Sequence, residues 1–157
     1  MDRRTLLIGG ATAAFATTAA AGLLLPRGLA PAQVFTRDGY ALGGTDPIAY
    51  FTHGRPIAGD PTVTHDWAGA RWAFVDAMHR AEFAAAPQTF APRYGGFCAW
   101  AVAAKGALYS TQPANWAIVD GALYLNFDDA VQARWDADRA GFIRRADARW
   151  PGIVAQA

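Results

Sequence analysis

Asp120-Gly121 stands between two short apolar runs, residues 116–119 and 122–127, and constrains the local fold more than any other dipeptide of the chain. A two-residue Asp-Gly loop takes positive φ at both positions and matches the right-handed twist of paired strands. It therefore predicts a tight antiparallel hairpin. Residues 62–67 and 71–75 read as a second strand pair around Ala68-Gly69-Ala70. Between the hairpins the apolar spacing changes from two to four. Val75, His79 and Phe83 share one helical face, in a helix opened by Asp76 and running to about Ala86. Pro87 ends or redirects it, and Gly95-Gly96 breaks the chain before the run 97–102. Upstream, Asp46 reads as a helix cap followed by Pro47 in the first turn. Asp128 opens a C-terminal helix that packs Val131, Trp135 and Phe142 inward, with Gly141 as the point where it breaks in two. The expectation is an α+β fold, a small single domain of short β-hairpins packed with helices, with no internal linker.

The composition excludes several classes. With 53% apolar residues and 20 aromatics among 157, the chain buries a core and is not intrinsically disordered. Fourteen Lys+Arg against 13 Asp+Glu leave a net charge of +1, without the basic excess of a nucleic-acid binder. A single cysteine excludes an intramolecular disulfide and a four-thiolate zinc site. No phosphate-binding glycine loop or spaced carboxylate pair is present.

Residues 1–32 have the layout of an export signal. Arg3 and Arg4 precede uncharged residues 6–25, and Ala30-Pro31-Ala32 supplies the small residues of a cleavage site. The paired arginines predict the twin-arginine route, a mature chain from Gln33 to Ala157 and a periplasmic location. The alternative is an uncleaved membrane anchor. No membrane contact is expected after cleavage.

Four stretches, in order, carry a resemblance. They are residues 43–51 (GGTDPIAYF), 67–74 (WAGARWAF) with Arg80, Phe83 and Pro87, 94–100 (YGGFCAW), and 116–126 (WAIVDGALYLN). Over about residues 40–150 the chain resembles the YHS-domain family, in particular its small exported stand-alone members. The resemblance implies metal binding, with copper the leading candidate, through two cysteines on the strand-to-helix turn. At those positions this chain has Val75 and His79, of which only His79 has a ligating side chain. Cys98 lies in the Gly-Gly-aromatic-Cys stretch characteristic of the stand-alone members.

The residues able to carry chemistry are few. Cys98, the only thiol, has three open readings: inert packing as a small hydrophobe, metal ligation, or a nucleophile activated at a helix N-terminus. His79 sits on the inward face of its helix, where a hydrogen-bonded core role competes with ligation. His65 sits in a strand and points opposite to Thr64 and Asp66. Cys98, His79 and His65 together would make a His2Cys site suited to copper or zinc. His53, in a turn beside Gly54, is expected to be solvated, and Met78 to lie in the core. Asp46 and Asp120 are assigned to a cap and a turn. A thiol peptidase needs a histidine downstream of its cysteine, and none follows His79. The leading expectation is thus a non-enzymatic exported metal-binding protein. The alternatives are a structural or small-ligand-binding module with a buried Cys98 and no metal, then a Cys98-dependent thiol enzyme.

Overall fold

The computed structural model describes residues 33–156. The export signal expected in residues 1–32 lies outside the described residues. Among the described residues no helix is long and apolar enough to cross a membrane.

Three antiparallel hairpins punctuate the described chain. They pair β1 (Thr36–Arg37) with β2 (Tyr40–Ala41), β3 (Asp60–Trp67) with β4 (Ala70–Phe74), and β5 (Trp116–Val119) with β6 (Ala122–Leu125). Each turns on a residue followed by glycine, both with positive φ: Asp38-Gly39, Ala68-Gly69 and Asp120-Gly121. This is the backbone that two-residue hairpins need. The second turn is one residue shorter than the sequence suggests, because Ala70 already pairs with Trp67. The register of β3 on β4 shifts between Asp60 and Thr64, which extends β3 to its observed length.

Helices fill the intervals. They are α1 (Pro47–Thr52), α2 (Ala77–Ala85), α3 (Pro87–Phe90), α4 (Ala99–Lys105), α5 (Asp129–Asp136) and α6 (Arg139–Val154). Asp46, Asp76 and Asp128 cap α1, α2 and α5 through side-chain bonds to backbone N–H groups, as expected. The architecture is the α+β domain read from the sequence.

The β5–β6 hairpin divides the core in two by the simple alternation of a strand. On one side Leu123 and Leu125, with Trp116 and Ile118, join Ile48, Tyr50, Trp72, Phe74 and Phe83. On the other Tyr124, with Ala117 and Val119, joins Tyr94, Val102, Trp135 and Ala146.

Two expectations need correction. Met78 is 73% exposed rather than in the core. The buried face of α2 holds His79 and Phe83, and a neighbour in sequence lies about 100° round the helix from His79. The C-terminal break falls at Ala137-Asp138, between α5 and α6, and Gly141 is inside α6. Asp138 caps α6 by accepting from the Gly141 N–H at 2.9 Å. A Cβ at position 141 would come 2.0 Å from the Asp138 carboxylate, so the glycine supplies room for the cap.

Candidate functional site

The densest polar cluster joins both ends of α1 to the start of α2. Asp46 is completely buried and its carboxylate accepts three hydrogen bonds. Oδ1 takes the Ile48 N–H at 2.8 Å. Oδ2 takes the Val75 N–H at 2.8 Å and His79 Nδ1 at 2.7 Å. A helix cap thereby also fastens the strand-to-helix turn and orients a buried imidazole, 33 residues away in sequence.

His53 follows α1 and sits seven residues after Asp46. Seven residues is nearly two turns at 3.6 residues per turn, so the two lie on one side of the helix. The His53 ring centre is 5.6 Å from that of His79, with the planes at 58°. Its Nδ1 is 2.8 Å from Thr52 Oγ1. Thr52 Oγ1 also lies 3.0 Å from the Ile48 carbonyl; with the hydroxyl proton given to that carbonyl, Oγ1 accepts from His53 and the imidazole proton sits on Nδ1. His79 likewise donates from Nδ1, because the carboxylate opposite is an acceptor only. Both imidazoles therefore keep the Nε2 lone pair free. The Asp76 carboxyl, which caps α2, is held below the usual range by the His79 and Met78 N–H groups.

This arrangement has the chemistry of metal ligation. A histidine ligand characteristically donates its other N–H to a carboxylate, which fixes the ring and makes the ligating nitrogen more basic. With ~2.0 Å from ion to nitrogen and about 1.2 Å from nitrogen to ring centre, two rings on one ion lie roughly 5.2 Å apart at the tetrahedral angle and about 5.6 Å apart at 120°, the range in which the ring-centre separation of 5.6 Å falls.

The three ligands expected from sequence are placed differently. His79 is in the cluster. His65 is on β3, half-buried, with its ring 6.3 Å from Phe83. Cys98 is fully buried in the cap position of α4, its Sγ 3.6 Å from Asn126 Oδ1. Among the described residues no group of three or more His, Cys, Asp or Glu side chains is placed to hold a metal ion. Burial pushes the Cys98 thiol up, against the opposing pull of the Ala101, Phe127 and Trp100 N–H groups. The helix terminus is present, yet desolvation outweighs it, so the thiol stays protonated and poorly nucleophilic. Asn126 holds this buried corner together, accepting also from the Trp100 N–H at 3.1 Å and donating to Gln132 at 2.9 Å.

His53 is exposed, as the sequence suggests, but its neighbourhood was not legible there. The one available signal was the seven-residue spacing from a capping aspartate. Compared with family models, curated proteins and solved structures, the chain matches none.

Proposed function

We propose that this chain is an exported, YHS-type domain that binds one copper or zinc ion without catalysing a reaction, through the Nε2 atoms of His79 and His53. The observation that carries this reading is the pair of imidazoles with ring centres 5.6 Å apart, the Nδ1 of His79 held 2.7 Å from the Asp46 carboxylate and that of His53 2.8 Å from Thr52 Oγ1. Imidazole ligands suit zinc, copper, nickel and iron, and the general affinity order favours Cu(II) among divalent ions. Asp46 is a positioning residue here, because it holds His79 and does not face the ion. Binding uses two lone pairs for which protons compete, so affinity falls in acid. The arginine pair at Arg3-Arg4 supports export. Replacing both by lysine leaves precursor in the cytoplasm if the route is the twin-arginine one, and undiminished export of that variant points to the general secretory route.

The test is metal stoichiometry and affinity on purified protein, using Cu(II) and Zn(II) separately in competition with a chromophoric chelator. His79→Ala and His53→Ala lose stoichiometric binding, whereas Cys98→Ser and His65→Ala keep it. Loss with Cys98→Ser alone would return the ligand role to the thiol. A second reading, a structural module without metal, is favoured by the three bonds of Asp46 and the complete burial of Cys98. It requires that neither ion binds and that the histidine variants lose only stability.

A further inference from the structure

A second site lies apart from the histidines and shares no residue with them. It is a groove of about 420 Å³ where the end of β3, the segment before α4 and the last turns of α6 meet. That volume is within the range of small-molecule sites. Trp67, Tyr94 and Trp150 supply aromatic walls from these three segments, and Arg93 and Asp147 supply polar groups.

The groove is built before any ligand arrives. Tyr94 has φ 55° and ψ 34°, the left-handed region that a non-glycine residue seldom enters. Its hydroxyl donates to Asp147 Oδ1 at 2.8 Å, and its ring lies 5.6 Å from that of Trp150. Arg93 approaches the same Oδ1 at 3.6 Å, beyond hydrogen-bond length, with both side chains about half exposed. The guanidinium also interacts with the Tyr124 hydroxyl, and with five N–H groups it keeps donors for a ligand.

These features select among ligand classes. The opposed charges of Arg93 and Asp147 cancel, so neither an anion nor a cation gains from the pair as a whole. A neutral ligand with hydroxyl groups on a ring uses all of it. Its hydroxyls accept from the guanidinium and donate to the carboxylate, while its C–H surfaces pack on the indoles. We infer that this groove is a saccharide-binding site, with Trp67 and Trp150 as the packing surfaces and Arg93 with Asp147 as the hydroxyl-reading pair.

The test follows the indole N–H signals of ¹⁵N-labelled protein while cellobiose, maltose or N,N′-diacetylchitobiose is added. Trp67→Phe and Trp150→Phe assign the two resonances. At least one disaccharide should move both signals saturably and leave the other indoles unmoved. Trp150→Ala or Asp147→Asn should weaken that binding at least about tenfold, equivalent to 1.4 kcal/mol. Met78→Ala, at an exposed position outside the groove, should leave it unchanged. Asp147→Asn keeps the size of the side chain, and its unfolding midpoint is measured alongside. Absence of any saturable shift with all three sugars overturns the inference. So does a saturable shift produced instead by benzoate, choline or a proline-rich peptide, or sugar binding that survives both Trp150→Ala and Asp147→Asn.

Discussion

Asp46→Asn exchanges one oxygen of a fully buried carboxylate for an NH2 group and leaves the shape almost unchanged. The three donors around it decide the cost. One orientation of the amide keeps its oxygen toward Val75 N–H and His79 Nδ1 and turns its NH2 onto the Ile48 N–H. The opposite orientation faces two donors with the NH2, so the first is cheaper. Even so, the Ile48 N–H is left buried without an acceptor, at about 1–3 kcal/mol, and two charge-assisted bonds become neutral ones, at about 1 kcal/mol each. The expected loss is roughly 3–5 kcal/mol, or on the order of 10–20 °C in Tm for a domain this size. Urea unfolding measures it as a shift in midpoint at constant m. Double-mutant analysis with His79→Ala isolates the pair, and the combined loss should be smaller than the sum of the single losses by at least about 1 kcal/mol. A loss below about 1 kcal/mol for Asp46→Asn, or strict additivity with His79→Ala, would refute the role assigned to this carboxylate.

Two glycines with positive φ should respond very differently to alanine. At Gly121 a Cβ meets nothing within 4 Å, so Gly121→Ala costs only backbone strain, ~1–2 kcal/mol by chemical denaturation. At Gly95 a Cβ would fall 1.5 Å from the Gln33 carbonyl oxygen, so Gly95→Ala should displace the start of the described chain or prevent folding, which amide spectra would reveal. Cys98 should resist iodoacetamide in the native protein and react readily in urea, and rapid native alkylation would contradict its burial. Burial pushes Tyr50, Tyr94, Tyr124 and Cys98 upward, so the unfolded chain gives up those protons first. Stability should therefore hold below the free thiol's 9.0 and fall as pH climbs through and above it, read from unfolding midpoints across an alkaline series.

What the sequence determined by itself is what neighbouring residues decide among themselves. Asp120-Gly121 sets its hairpin because Asp and Gly enter positive φ readily, whatever packs around them. Asp46, Asp76 and Asp128 set helix starts because each carboxylate reaches N–H groups only two or three residues ahead. The alternation along β6 likewise follows from strand geometry, although the sequence did not reveal that the two faces would serve two different cores. Tertiary structure decided the rest. The bond of Asp46 to His79 spans 33 residues and exists because α1 packs against α2. That same packing brings His53 to His79, and its absence from local spacing made an exposed turn histidine look solitary. Gly141 looked like a helix breaker, yet the Asp138 cap made it a place where only a hydrogen fits. Cys98 stood where a helix terminus would activate a thiol, and the depth of the surrounding core kept it neutral. Hydrogen bonds and turns over a few residues are encoded by those residues, whereas burial, and every contact between distant side chains, is a property of the packed chain.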